Sequence, residues 1–118
     1  MLSAGNLTPP WVRDLAARLG EREGRIRQLL AGLGREGRAF QVVTDLYFER
    51  AVVAELARTV EQLAAARGTV EAAAFRDAVG LGRKRAVQIL EFFDRVGFTR
   101  RVGDAHVLRG SAGWSGSR

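Results

Sequence analysis

The stretch GRKRAVQILEFFDRVGFTRRVGDAHVL, residues 82–108, combines two periodicities that together predict a local fold. Its first half has apolar residues at the spacing of one helix face, namely Ala86, Ile89, Leu90 and Phe93. Gly97 follows this face and suits the left-handed conformation that ends many helices. Two short β-prone runs then surround Gly103–Asp104, a dipeptide typical of a two-residue hairpin turn. The pattern predicts a helix followed by a β-hairpin.

The same pattern occurs once more, 60 residues earlier in the chain. At that offset Gly24–Phe48 lies over Lys84–Leu108, with matching arginine, glutamine, leucine and glycine positions. Upstream, Arg13–Asp14 matches Arg76–Asp77 at an offset of 63, so we expect the preceding short helices to differ by three residues in position. An internal repeat of this kind indicates two copies of one structural unit.

Each copy is predicted to contain a short helix, a longer helix and a hairpin. In the first copy Thr8 is the predicted N-cap, with Pro9 at the first helical position and Gly20 at the end. The counterpart helix is predicted over Glu71–Val79, and Thr44–Asp45 is the predicted turn of the first hairpin. Helix, turn, helix and hairpin make a winged helix, in which the hairpin is the wing. The fold class is therefore mainly α with small β-hairpin wings (α+β), as tandem winged-helix domains.

The predicted domains are a first unit over residues 6–49, a second over 50–109 and a flexible tail over 110–118. An amphipathic linking helix over 50–67 supplies the opening helix of the second unit, whereas the first unit lacks one, as if the chain began inside a longer protein. We therefore expect the first unit to bury its apolar residues less well. The expected pairs are Val12, Leu15, Leu29 and Leu33 in the first unit against Phe75, Val79, Ile89 and Phe93 in the second.

The composition favours a soluble globular protein with a polyanionic partner. The 118 residues include 19 Lys and Arg, 13 Asp and Glu and no Cys, giving a net charge of +6. Without cysteines the chain has no disulfides or thiolate metal sites, and a reducing cytoplasm is the natural compartment. No apolar run is long enough to span a bilayer, so no membrane contact is expected.

The positive charge is concentrated in the second unit. Residues 22–49 carry a net charge of +1 and residues 82–109 a net charge of +4. The long helix of the first unit begins with Glu21 and Glu23, but that of the second begins with the run Gly82–Arg85. A cation at a helix N-terminus costs roughly 0.3–1 kcal/mol, so three of them indicate an anion that binds there. The second unit is therefore the predicted nucleic-acid binder.

The outer face of the second long helix favours RNA over DNA. Glu91, with Asp94 beside it, makes deep insertion into a DNA major groove costly, whereas a basic helix tip and wing suit an RNA hairpin. A winged-helix DNA-binding regulator and a winged-helix protein-interaction module remain as alternatives. For His106 a role as a surface polar residue competes with RNA contact. The candidate RNA-binding residues are Gly82, Arg83, Lys84, Arg85, Gln88, Arg100, Arg101, His106 and Arg109, with no catalytic or metal-binding set.

The residues of this region resemble a known family. The run FRDAVGLGRKRAVQILEFFDRVGFTRRVGDAHVLR, Phe75–Arg109, closely resembles the last winged-helix domain of bacterial selenocysteine-specific elongation factors, the SelB family, and Trp11–Gly20 resembles the domain before it. The resemblance implies a parent translational GTPase whose winged helices bind the selenocysteine insertion (SECIS) hairpin of an mRNA. The matching positions are Arg83, Lys84, Arg85, Gln88, Arg100 and Arg101.

The same resemblance implies what this chain does not do itself. No G-x-x-x-x-G-K-[ST] phosphate loop is present, so the chain is not expected to be an enzyme or to hold a cofactor. GTP and magnesium, the ribosome and selenocysteinyl-tRNA are implied for the parent protein. For this chain the expected partner is the mRNA hairpin, and the expected state is a monomer in the cytoplasm.

Overall fold

The computed structural model describes residues 7–110 and 113–114, and all statements on structure refer to these. The chain forms two compact units, Met1–Val53 and Ala54–Arg118, and the division falls inside its longest helix. The first unit contains α1 (Val12–Leu19), α2 (Glu23–Arg35), β1 (Ala39–Val43), β2 (Leu46–Glu49) and the start of α3 (Arg50–Arg67). The second contains the rest of α3, then β3 (Val70–Glu71), α4 (Ala72–Val79), α5 (Arg83–Arg95), β4 (Thr99–Val102) and β5 (Ala105–Leu108).

Helix–helix–hairpin order is thus confirmed for both copies, and the mainly helical winged-helix fold class with it. Both hairpins are antiparallel pairs closed by two-residue turns, with Val43 opposite Leu46 in one and Val102 opposite Ala105 in the other. The long helices are followed by Gly37 and Gly97 with φ of 73° and 86°, the left-handed conformation that was predicted. No helix of the described residues is both long and apolar enough to cross a membrane.

Two details of the sequence-based repeat are wrong. Helices α1 and α4 begin at Val12 and Ala72, so they are offset by the same 60 residues as the long helices, not by 63. The Arg-Asp matches upstream are therefore coincidental. The cap of α1 is also misplaced, because Trp11, not Thr8, is the N-cap residue, and it makes no side-chain capping bond. The backbone N–H of Val12 instead donates to the carbonyl of Asp45 at 3.0 Å.

The second unit has a strand that the sequence did not predict. Residues Val70–Glu71, assigned in part to the following helix, pair with β5, so that the sheet order is β3-β5-β4. The first unit has a two-stranded sheet among the described residues. At the position that corresponds to Val70 it carries Pro10, which has no N–H to donate to a ladder. The wing of the second unit is therefore supported on an additional edge.

The expected difference in burial between the units is wrong for the residues of α1. Val12 and Leu15 are 1% and 2% exposed, which matches the 0% of Phe75. They belong to a compact apolar cluster of the first unit: Val12, Leu15, Ala16, Ile26, Leu30, Ala39 and Tyr47. The expectation is met on α2, where Leu29 is 49% exposed and its counterpart Ile89 fully buried. The first unit therefore has a complete small core between α1, α2 and the hairpin.

The segment predicted as a flexible tail contains a packed residue. The Trp114 ring lies 5.3 Å from the ring centroids of both Phe93 and Phe98 and 6.3 Å from that of Phe92. Aromatic contacts of this kind stabilise a fold beyond what the buried area of the rings alone contributes. Residues 111–112 and 115–118 lie outside the described residues. Trp114 therefore packs against the end of α5 and the start of the second wing.

Candidate nucleic-acid interface

The N-terminus of α5 presents exposed cations and an open first turn. Gly82 is the N-cap, with φ −69° and ψ 160°, and no side chain caps the helix there. Arg83 and Lys84 follow and are exposed. Because glycine lacks a side chain, an anion can approach the first backbone N–H groups of the helix without steric hindrance. The local helix dipole and the two exposed cations then attract the same anion.

Arg85 and Gln88 are brought together on the next turn of α5. The guanidinium Nη1 of Arg85 donates to Oε1 of Gln88 at 2.9 Å, and both side chains are partly buried. Desolvation by this burial lowers the pKa of Arg85, although a guanidinium stays charged at neutral pH. A cation that is partly desolvated and held by a neighbour loses less rotamer entropy when it binds a phosphate. The structure thus places these two candidate RNA-binding residues side by side, next to the start of α5.

The wing carries two further predicted cations in exposed positions. Arg100 and Arg101 lie on β4, opposite Val107 and His106 respectively. Nε of Arg101 donates to the carbonyl of Gly103 at 2.9 Å, which holds this side chain along the hairpin turn. Arg109 follows β5 and is also exposed. These positions give the wing a basic surface. Among the described wing residues, the shortest ion pair within the wing is the 4.0 Å contact between Arg101 and Asp104.

His106 is not the surface polar residue that the sequence suggested. It is 7% exposed, and its Nδ1 lies 3.0 Å from Oδ1 and 2.9 Å from Oδ2 of Asp94. Since a carboxylate only accepts, Nδ1 carries the donated proton. A ring in this position is not available for stacking on an RNA base unless the hairpin moves. Within the described ranges, no group of three or more His, Asp or Glu side chains is placed to hold a metal ion.

The sequence did not predict that Asp94 and Thr99 contact each other beside His106. Thr99 is fully buried, and its Oγ1 donates to Oδ1 of Asp94 at 2.6 Å. The Asp94 side chain is thus bound to the wing and only 21% exposed, so that Glu91 is the exposed acid of α5. The repeat offered a signal for both, because the positions 60 residues earlier hold Gly34 and Ala39. A polar pair that replaces two small apolar residues is unusual in a buried location.

The aromatic residues of α5 belong to the core. Phe92 is 3% exposed and packs at 5.5 Å from Phe93, and the guanidinium carbon of Arg95 lies 5.6 Å from the centre of the Phe92 ring. Phe92 is thus excluded as a base-stacking platform on the surface of this structure. The cation–π contact also gives Arg95 a structural role at the end of the helix.

The first unit is organised differently at the corresponding helix start. Arg27 donates through Nε and Nη2 to the two carboxylate oxygens of Asp45 at 2.9 Å each, and it also contacts Glu23 at 3.0 Å. The bond to Asp45 raises the pKa of Arg27 and lowers that of Asp45. Trp11, Arg13 and Thr44 join Glu23 and Asp45 around a surface depression of about 490 Å³. Carboxylates at this site compete with phosphate for the neighbouring cation.

Known proteins match the chain along most of its length. A family profile described as "Elongation factor SelB, winged helix" matches residues 61–108. The selenocysteine-specific elongation factor of Escherichia coli (strain K12) is 45% identical over 101 residues, which are 86% of this chain and 16% of that protein. The corresponding factor of Haemophilus influenzae is 38% identical over 99 residues, 84% of this chain and 16% of that protein.

A solved structure shows the same fold at high sequence identity. The structure of the mRNA-binding domain of elongation factor SelB from E. coli, in complex with SECIS RNA, superposes with a TM-score of 0.83 at 43% identity. The match covers 89% of this chain and 87% of that one, so it includes both winged-helix units. The chain spans 16% of the length of the curated elongation factors above. From the repeat, the two winged helices and these matches, the chain belongs to the elongation factor SelB family, whose winged-helix region it represents.

Proposed function

We propose that this chain is the RNA-binding part of a selenocysteine-specific elongation factor and that its second unit binds the SECIS hairpin of an mRNA. The observation that carries the proposal is the uncapped, basic start of α5, where Gly82 is followed by exposed Arg83 and Lys84. The relative of known structure was solved with SECIS RNA bound, and it shares the fold and 43% of the sequence. The first unit has carboxylates at the equivalent helix start and does not bind phosphate in this proposal.

The mode of binding follows from the distribution of charge. The start of α5 receives a phosphate through its backbone N–H groups, and Arg83, Lys84 and Arg85 neutralise it and its neighbours. Arg100 and Arg101 on the wing contact a second stretch of backbone. Gln88, next to Arg85, can hydrogen-bond an unpaired base, since bases splayed from a hairpin expose their edges. Affinity then depends on salt, and shape selects a hairpin over a uniform duplex.

The remaining activities belong to the parent protein in this proposal. The parent is a GTPase that binds GTP and magnesium, delivers selenocysteinyl-tRNA and acts on the ribosome in the cytoplasm. This chain contributes mRNA recognition, as a monomer without a cofactor and without catalytic residues. Support comes from the names of the relatives and from the 16% of their length that the chain spans.

A competition experiment tests the proposal against both alternatives. The 118-residue chain is titrated with the SECIS hairpin of the E. coli complex, with a perfect RNA duplex of equal length and with duplex DNA, at several salt concentrations. We expect the hairpin to bind most tightly, with a steep loss of affinity as salt increases. Preferred binding of duplex DNA, with dimer formation, would indicate a DNA-binding regulator. A lack of binding to all three would indicate a protein-interaction module.

A further inference from the structure

We propose that Asp94, Thr99 and His106 form a polar clamp that fixes the second wing against α5 and thereby positions Arg100 and Arg101 for RNA. The three residues come from three elements: the last turn of α5, the first residue of β4 and the middle of β5. The Asp94 carboxylate joins them, at 2.6 Å from Thr99 and 2.9–3.0 Å from His106. This proposal rests on the proposed RNA binding, but the clamp can be tested without RNA.

The clamp residues are the direct neighbours of the two wing cations along and across the strands. Thr99 immediately precedes Arg100, and His106 is the cross-strand partner of Arg101. Both clamp residues on the wing are buried, whereas Arg100 and Arg101 are exposed. A rotation or slip of either strand would therefore break a hydrogen bond to Asp94 and displace a cation at the same time. The clamp fixes the backbone positions of Arg100 and Arg101 relative to α5.

The first unit shows that the winged-helix fold does not require such a clamp. At the corresponding positions it carries Gly34, Ala39 and Tyr47, and the last two belong to its apolar cluster. Tyr47 is the cross-strand partner of Gln41, as His106 is of Arg101. The chain thus contains the same architecture twice, once with apolar residues between the long helix and the wing and once with hydrogen-bonded polar residues. Burying a polar network costs desolvation that an apolar set avoids, so fold stability alone does not account for it.

A network of directed bonds restricts geometry more than apolar packing does. Apolar contacts are non-directional and tolerate small shifts, whereas two donors on one carboxylate define distances and angles. The second unit has both the clamp and a basic wing, whereas the first unit has neither the clamp nor cations on the strands of its wing. Asp94, Thr99 and His106 are therefore positioning residues, which act on RNA through Arg100 and Arg101.

The test uses isosteric changes at Thr99 in the full 118-residue chain. Thr99→Val keeps the shape and removes the donor to Asp94, and Thr99→Ser keeps the donor. For the SECIS hairpin we expect Thr99→Val to weaken binding about tenfold and to lower the slope of log K against log salt by about one, the value for one phosphate contact. Thr99→Ser should bind like the unchanged chain. Asp94→Asn, which weakens both bonds of the clamp, should reproduce Thr99→Val.

A double-mutant cycle separates positioning from a general loss of structure. In a chain that also carries Arg100→Ala and Arg101→Ala, Thr99→Val should cause no further loss, because the groups that it positions are absent. A loss of the same size in that background, or an unchanged affinity and salt slope in Thr99→Val alone, would overturn the proposal.

Amide hydrogen exchange of the free protein measures the clamp directly. Thr99→Val should accelerate exchange at residues 100–102 and 105–107, with little change in the first unit. If the unchanged chain binds no hairpin, the proposed function fails, and the exchange measurement still decides whether the clamp orders the wing. Equal exchange rates in the two proteins would then refute the clamp as well.

Discussion

The two winged-helix units of this chain hold their wings by different means. In the first unit Arg27 of α2 reaches the exposed carboxylate of Asp45 at the tip of the hairpin, through two bonds of 2.9 Å. In the second, α5 holds the base of its hairpin through the buried contacts of Asp94 with Thr99 and His106. In the first unit the cation Arg27 is engaged in holding the wing, whereas in the second the wing cations Arg100, Arg101 and Arg109 stay exposed.

This difference shows how one fold acquires a binding surface. In the first unit the cation and carboxylates near the helix start neutralise each other, and the local field is weak. In the second unit the Asp94 carboxylate lies at the far end of α5, where its side chain is 21% exposed, and the helix start and wing keep an unbalanced positive charge. A third strand and the aromatic contacts of Trp114 add rigidity to that unit. Charge separation within one unit, not net charge alone, distinguishes the proposed binder.

Removing the basic helix start should have the largest effect. We expect the change of Arg83, Lys84 and Arg85 together to Ala to lower the affinity for the SECIS hairpin by about 3 kcal/mol or more, at about 1 kcal/mol or more per charged contact. The salt slope should flatten. Electrophoretic mobility shift and fluorescence anisotropy titrations measure both.

The matched control makes the same change of charge in the first unit. Arg18, Arg22 and Arg25 are exposed there, and their joint change to Ala should lower hairpin affinity by less than about 1 kcal/mol. Equal losses in the two triple variants would show that bulk charge, and not the start of α5, determines RNA binding.

Truncation of Trp114 should have the next largest effect, on stability. The ring contacts Phe92, Phe93 and Phe98 and is partly exposed, so Trp114→Ala should lower the free energy of unfolding of the second unit by about 2 kcal/mol, below the 3–5 kcal/mol of a fully buried aromatic. Leu29→Ala, in an exposed position of the first unit, is the control and should change it by less than about 0.5 kcal/mol. Denaturant unfolding followed by amide exchange assigns each loss to a unit. A tail that carries no structure would give two equally small changes.

Loss of the ion pair in the first wing should have the smallest effect and a defined pH dependence. The folded pKa of Asp45 is lowered, mainly by the hydrogen bond from Arg27, below the ordinary value of about 3.9. Its stabilisation is therefore complete above that value and is lost as the pH falls through the folded pKa. At pH 7 Asp45→Asn should cost about 0.2–1 kcal/mol, as for an exposed pair.

Unfolding of the chain and the Asp45→Asn variant at pH 7 and pH 2 measures that difference. We expect the difference between the two proteins to shrink as the pH falls from 7 to 2, because protonation of the carboxylate removes the charge that Arg27 contacts. Asp104→Asn, at the tip of the other wing, is the matched control. It should leave the free energy of unfolding unchanged at both pH values, since the contact of Asp104 with Arg101 is 4.0 Å long and exposed. A difference between Asp45→Asn and the unchanged chain that was as large at pH 2 as at pH 7 would point to the shape of the turn and not to its charge.

Patterns along the chain were enough to predict the two long helices, both hairpins and the basic start of α5. Helical spacing and terminal glycines identified α2 and α5, because these signals come from residues that are neighbours along the chain. Gly103–Asp104 located the second turn in the same way. The repeat and the SelB resemblance then identified the family. Gly82, Arg83 and Lys84 are exposed at the start of α5, whereas Arg85 is partly buried.

The contacts under the second wing could not be predicted from the chain and depend on how its elements pack. Asp94 and His106 are 12 residues apart, and neither local pattern nor charge count shows that they meet around Thr99. The strand at Val70 and the packing of Trp114 were likewise missed, since two residues give no periodicity and a linker-like composition does not reveal one anchored ring. Local signals fix secondary structure because they act within a few residues. The partners of a buried polar group depend on which distant elements pack together, and that information is present only in three dimensions.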